Sequence, residues 1–160
     1  MTTLRPAVRA DLPDVVRLVR ALAEYERLAH EFTATAAEFD TLLFAPDHAA
    51  DAILAEIPGQ PPVGIALYYR TINTFKGRLG LFLEDLFVEP ECRGLGIGRA
   101  LLRHLAQLAV ARNYNVIEWR VLEWNEPSIQ FYERLGAVRM TDWHVRRLLG
   151  PALIALAEGA

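Results

Sequence analysis

Residues 81–102, LFLEDLFVEPECRGLGIGRALL, set the terms for the rest of the chain. The run from Leu81 to Val88 is almost continuously apolar, as in a strand covered on both faces. Glu84 and Asp85 interrupt it, and a lone charge in such a strand needs a partner, a cavity or a task. Successive strand residues point to opposite faces, so only one of the two acids is expected to line a given pocket. Pro90 cannot donate to a ladder and ends the strand. Gly94, Gly96 and Gly98 then alternate through a loop that opens into an amphipathic helix. Strand, glycine loop and helix N-terminus together present outward backbone N–H groups and the positive end of a helix dipole, an arrangement that receives an anion.

At 160 residues the chain is long enough for one domain, 1–160, with a real core. The net charge of −3 argues against a nucleic-acid partner, which requires clustered positive charge. A single cysteine, Cys92, excludes an intrachain disulfide framework and fits a reducing compartment; with no catalytic partner near it in sequence, it reads as structural. No apolar run reaches the ~20 residues of a membrane span, and the N-terminus has no apolar signal core. The expected setting is cytoplasmic, with no membrane partner. His30, His48, His104 and His144 show no ligand spacing, so no metal is expected.

The periodicities give an α+β order. A strand is expected at Leu4–Arg9, then a helix capped by Asp11, with Pro13 in its first turn, running to about Arg27. Glu24, Tyr25, Glu26 and Glu31 near its end are either a solvated acidic face or a seat for a cation. Thr35 and Glu38 form a capping-box pattern for a helix to Phe44. Strands at Ala52–Ile57 and Val63–Arg70 read as an antiparallel hairpin, followed by a loop, 71–77, and the strand Leu79–Val88. The helix after the glycine loop covers Gly98–Arg112, with Asn113 as its stop. A strand at Val116–Val121 and a helix opened by Asn125, Pro127 and Ser128 and closed at Gly136 come next. Two short strands are expected at Ala137–Met140 and Trp143–Leu149, and Pro151–Ala160 as a last turn or two of helix. The helical crossovers require local parallel pairing.

The glycine loop lacks the Lys-Ser/Thr of a nucleotide-triphosphate loop and the spacing of a dinucleotide fingerprint. Arg93, Gly96 and Gly98 instead resemble the arginine/glutamine-x-x-glycine-x-glycine signature of the GNAT acyltransferases. The block EWNEPSIQFYERLGA, Glu123–Ala137, resembles the second signature of that family. LEDLFVEPECRGLGIG, the same second block and the N-terminal RPAVRADLPDVVRLVRALAEYE resemble the spermidine/spermine (diamine) acetyltransferase branch.

That resemblance implies a GNAT fold: a central mixed sheet of six to seven strands with about four helices, its parallel strands splayed around the cofactor. It implies an acetyl-CoA-dependent transfer of acetyl to a primary amine of a small molecule, polyamine- or diamine-like. Leu86, Phe87 and Val88 would pair with pantetheine, and Arg93, Gly94, Leu95, Gly96, Ile97, Gly98 and Arg99 would hold the pyrophosphate. Asn125, Pro127 and Ser128 would complete the cofactor contacts, although helix capping explains Asn125 and Ser128 equally well. Tyr132 would be the general acid for the leaving thiolate; by spacing alone it is one face of a short helix. Glu84 would bind the amine and assist its deprotonation. Tyr25, Glu26, Glu118, Trp119, Arg120 and Asp142 would lie on the substrate side. Asp85 is left as a structural acid paired with an arginine or with backbone amides. Alternatives are a thialysine-like amino acid or peptide amine as acceptor, or a non-catalytic acyl-CoA-binding module. Lys76 and Arg78, if they faced the pocket, would repel a polycation. Enzymes of this branch are commonly homodimers, with the apolar PALIALA segment as a candidate interface.

Overall fold

The computed structural model describes residues 2–159. They form two compact units that part after Leu122.

The first unit is a five-stranded sheet in the order β1 (Thr3–Pro6), β2 (Asp51–Glu56), β3 (Gly64–Asn73), β4 (Arg78–Val88), β5 (Ile117–Trp119). Three antiparallel pairs are followed by one parallel pair, β4 with β5, joined by the expected helical crossover. Its helices are α1 (Leu12–Tyr25), α2 (Ala36–Phe44) and α3 (Ile97–Ala111). One face of the sheet buries Ala52, Leu54, Ile65, Leu67 and Phe87 against Val15, Leu18 and Leu22 of α1 and Phe39 and Leu43 of α2. On the other face Leu81 and Leu83 are buried, as are Ile97, Leu101 and Leu105 on the apolar stripe of α3.

Local sequence explains the helix ends. Thr35 Oγ1 accepts from the Glu38 amide at 3.3 Å while a Glu38 carboxylate oxygen accepts from the Thr35 amide at 2.7 Å, a reciprocal capping box. Asn113 adopts φ 55°, a left-handed conformation that asparagine tolerates, and ends α3. Asp11 stands at the N-cap of α1, but its carboxylate is occupied by Arg5, at 2.6 and 2.8 Å. Arg5 also reaches Glu56 at 2.7 Å, tying β1, the start of α1 and the end of β2 together.

β4 and β5 approach closely at Gly80, where an added Cβ would lie 2.6 Å from a Val116 methyl. The parallel ladder spans only Leu81–Leu83 against Ile117–Trp119. β5 ends at Trp119, opposite Leu83, so the β5-side edge of β4 from Glu84 to Val88 carries no ladder among the described residues.

The second unit holds α4 (Glu126–Glu133) and α5 (Gly150–Ala157). The Ser128 amide donates to Asn125 Oδ1 at 3.4 Å, so Asn125 caps α4 as expected. The Ala137 and Gly136 amides return to Tyr132 and Glu133 carbonyls at 3.1 and 2.9 Å, closing the helix with a Gly136 cap.

The sheet corrects one expectation. Among the described residues there are five strands and five α-helices, against the six to seven strands and about four helices expected. The missing strands are those at 137–140 and 143–149, which are irregular, with Val138, Met140, Trp143 and Val145 exposed. Alternation alone makes no strand; a ladder partner is required, and the regular elements of this unit are helices.

Candidate functional site

Two backbone features converge around the end of β4. The first is the loop Arg93–Gly96, leading into α3. Gly94 and Gly96 have φ of 80° and 79°, a region that costs other residues about 1–2 kcal/mol. Nothing lies within 4 Å of the Cβ either would carry, so the glycines serve the turn of the chain and leave the loop surface bare. Among the described residues, the amides of Gly94, Leu95, Gly96, Ile97, Gly98 and Arg99 have no backbone acceptor. Ile97 is buried and anchors the helix start, while Arg93, Leu95 and Arg99 are exposed. This cradle of free N–H groups at a helix N-terminus fits a pyrophosphate.

The second feature is the open edge of β4 at Leu86, Phe87 and Val88. Phe87 is buried in the core, so this segment is held rigidly while its β5-side edge stays free for an extended ligand. Arg93 closes the far end. Its Nε donates to the Val88 carbonyl at 3.0 Å, and its guanidinium lies 4.4 Å from the Tyr25 ring centre and 5.7 Å from that of Phe87.

The acids sit beside this edge. β3 and β4 pair in regular register until Tyr68↔Leu83; the next pair is Leu67↔Asp85, leaving Glu84 as the extra residue of a β-bulge. The bulge cancels the alternation on which the two acids were expected to face apart. Asp85 comes opposite Leu67, on the α1 side of the sheet. Glu84 is exposed, and its charge pushes the Tyr69 phenol up, on top of the effect of that phenol's burial. Both carboxylates therefore serve one face.

Around them stand Tyr69 and Phe82, with ring centres 5.2 Å apart, and Arg120, 5.0 Å over the Phe82 ring. Tyr69 and Phe82 were not anticipated; the signal available was their place on the two strands that flank Glu84. Tyr25 ends α1 and Glu26 caps it; burial pushes the Glu26 carboxyl up. Asp85 is pushed up to about 7, chiefly by burial and then by the negative charges of Glu84 and Glu26. Among the described residues neither an arginine nor a backbone amide is paired with its carboxylate, the two partners expected for a structural acid.

Glu118 and Trp119 lie on β5 opposite Phe82 and Leu83, Glu118 exposed and Trp119 partly buried. Lys76 and Arg78 stand at the far end of the β3–β4 hairpin. Arg78 is roughly 20 Å of strand away from Glu84, so neither cation bears on the acids. Cys92 is a buried free thiol in the turn before the loop.

In the second unit, Tyr132 is partly buried on α4 with its ring centre 5.3 Å from that of Phe131. Asn125 is buried at the cap, Pro127 lies in the first turn and Ser128 donates its amide to the cap. Asp142 is exposed in the irregular segment beside Thr141, whose hydroxyl donates to it at 3.4 Å.

The family model described as the acetyltransferase (GNAT) family matches residues 15–137. The chain belongs to the GNAT acetyltransferase family. It is an N-acetyltransferase, and acetyl-CoA is the acetyl donor that the family uses. The thialysine N-epsilon-acetyltransferase of Bos taurus is 35% identical, over 96% of each chain. The L-ornithine N5-acetyltransferase of Arabidopsis thaliana is 28% identical over 96% of this chain and 86% of its own. A human spermidine/spermine N(1)-acetyltransferase-like protein is 31% identical over 96% of this chain but only 23% of its own length. Among solved structures, an integron cassette protein from the mobile metagenome of V. cholerae superposes with a TM-score of 0.82 at 24% identity, covering 99% and 98% of the two chains. An aminoglycoside acetyltransferase from an uncultured soil metagenomic sample superposes with a TM-score of 0.77 at 15% identity, covering 93% and 97%. These likenesses support the fold alone.

Proposed function

We propose that this N-acetyltransferase moves acetyl from acetyl-CoA to a primary amine of a small polyamine- or diamine-like molecule, by direct attack on the thioester. The observation that carries the reading is the acidic face at the end of β4: Glu84, Asp85 and Glu26 gathered beside an edge suited to pantetheine. The family model spans 15–137 and so takes in residues of both units.

In this reading Arg93 and the amides from Gly94 to Arg99 hold the pyrophosphate, and Leu86, Phe87 and Val88 take the pantetheine. Asn125, Pro127 and Ser128 add contacts from the start of α4. Acetyl-CoA, when bound, supplies an acetyl group activated as a thioester. An alkylamine has a pKa near 10.4 and arrives as an ammonium, so it must be both held and deprotonated. Glu84, exposed at the mouth, holds the cation and assists loss of its proton; Tyr25, Glu26, Glu118, Trp119, Arg120 and Asp142 form the substrate side. The amine lone pair would attack the thioester carbonyl carbon and displace the thiolate, Tyr132 would donate its phenol proton to that thiolate, and the second N–H proton, shed as the amide forms, would restore the phenol. A phenol near pKa 10 protonates a thiolate near 8.5 only weakly, so much of the effect of Tyr132 is a hydrogen bond to the developing charge.

A second reading of the acceptor is a thialysine-like amino acid. Arg120 acts on the Tyr69 phenol beside Glu84, which suits an acceptor that carries a carboxylate as well as an amine. The full-length similarity to thialysine and ornithine acetyltransferases supports it. The exposed Leu153, Ile154 and Leu156 of α5 support a homodimer, and sedimentation tests that. The lone buried thiol fits a cytoplasmic setting.

Tyr132→Phe separates an enzyme from a binding module. Turnover is expected to fall by about a hundredfold with acetyl-CoA affinity retained. Unchanged turnover would remove Tyr132 from the reaction.

A further inference from the structure

Asp85 is the one ionisable group at the end of β4 for which the reaction as described has no use. Its place is built, not incidental. The bulge at Glu84 turns Asp85 from the face it would otherwise occupy to the α1 side, opposite Leu67 and within the same strand end as Phe87. Glu84 is exposed and Asp85 partly buried, so the two form an outer and an inner carboxylate on one face.

The surrounding charges all bear on the same question. From β4 comes Glu84; from the end of α1, Glu26 and Tyr25; from β3, Tyr69; from the loop, Arg93; and from the residues after β5, Arg120. Neither arginine pairs with Asp85: Arg93 donates to the Val88 carbonyl and lies over the Tyr25 and Phe87 rings, and Arg120 lies over the Phe82 ring and acts on the Tyr69 phenol. The charges that act on Asp85 are those of Glu84 and Glu26, both negative. A structural acid would be given a cation; this one is kept from them.

Resting on the reading of the chain as an amine acetyltransferase, we propose that Asp85 is the terminal acceptor of the proton shed by the ammonium substrate. Glu84 is then the charge that draws the substrate in and the first stop for its proton. The step balances simply. An N–H bond of the ammonium breaks with its electron pair left on nitrogen, and an O–H bond forms on the Asp85 carboxylate. After acetyl transfer, that proton returns to solvent.

The chemistry favours the inner acid. A cation arriving at Glu84 lowers the proton affinity of Asp85 and leaves it ionised. Once the amine becomes neutral, burial and the two flanking carboxylates raise that affinity again. A carboxylate near pKa 3.9 lies about 6.5 pH units below an alkylamine, and one near 7 only about 3.4 below, so the equilibrium share of attacking free amine rises about a thousandfold.

The test compares Asp85→Asn and Glu84→Gln with the parent enzyme in thiol-release assays across pH, with carbon-13 carboxyl NMR of the parent alongside. Asp85→Asn is expected to lower kcat by about a hundredfold and to abolish the limb of the pH profile near neutrality, with KM for the amine within about threefold. Glu84→Gln is expected to raise KM as well. An Asp85→Asn enzyme with unchanged kcat and pH profile would overturn the proposal. If the parent turns over no amine at all, the amine-acetyltransferase reading fails, and the resonance then decides for Asp85. A titration midpoint near neutrality that falls by about one pH unit on adding spermidine supports the role, since an ammonium near the carboxylate shifts it by at least that much. A midpoint below about 5, the ordinary carboxylate range, or one that spermidine leaves in place, overturns it.

Discussion

Replacing Asp85 by asparagine is expected to stabilise the protein, and to do so more as the pH rises. An ordinary carboxylate titrates near 3.8, whereas burial beside Glu84 and Glu26 pushes Asp85 up to about 7. Between those two values the folded chain holds a proton that the unfolded chain has released. Stability therefore falls with rising pH in that window, by about 1.4 kcal/mol per pH unit for one such group. The contribution is fully present below about pH 4 and lost by about pH 8, and the gap of about three pH units corresponds to about 4 kcal/mol at most. Asparagine keeps the shape and cannot ionise, so Asp85→Asn escapes that loss. Urea denaturation of both proteins at pH 4.5, 6 and 8, with equal slopes, measures the difference directly. The variant is expected to gain about 2–4 kcal/mol over the parent between the first and last conditions. A difference that stays constant across the three would refute the placement of Asp85 as a buried, unpaired acid. The result would also display a cost that a site has kept for its chemistry.

The remaining expectations concern the frame around the site. Gly96→Val forces a branched residue to φ near 79°, and is expected to cost about 1–2 kcal/mol in denaturation and to weaken CoA binding by more than about tenfold in calorimetry. Asp11→Asn removes a carboxylate that Arg5 and the Val8 amide hold below the usual range. Its stabilisation is present above the unfolded pKa and lost as pH falls through the depressed folded one, so the variant is expected to lose about 2 kcal/mol at pH 7 and little near pH 2 by thermal unfolding.

The sequence was a good guide wherever structure depends on neighbours along the chain. Thr35 and Glu38 cap α2, Asn113 stops α3, Asn125 caps α4, and the glycine loop leads into α3 with its amides bare. It failed where the outcome depends on a partner far along the chain. The bulge exists only in the pairing of β3 with β4, so nothing local shows that Glu84 and Asp85 share a face. Strict alternation, sound for a regular strand, gave the wrong geometry for the two residues that matter most. The same dependence removed the strands at 137–149, where alternating apolar residues have no ladder in their own unit. Tyr69 and Phe82 belong to the site because their strands are adjacent, a fact of register, not of composition.

The most direct measurement is the rate of thiol release from acetyl-CoA with thialysine, ornithine, spermidine, spermine and a lysine peptide as separate acceptors, with the acetylated product confirmed by mass. Turnover is expected with at least one of the small amines, and none that depends on a peptide. Binding of acetyl-CoA without turnover of any amine would contradict it.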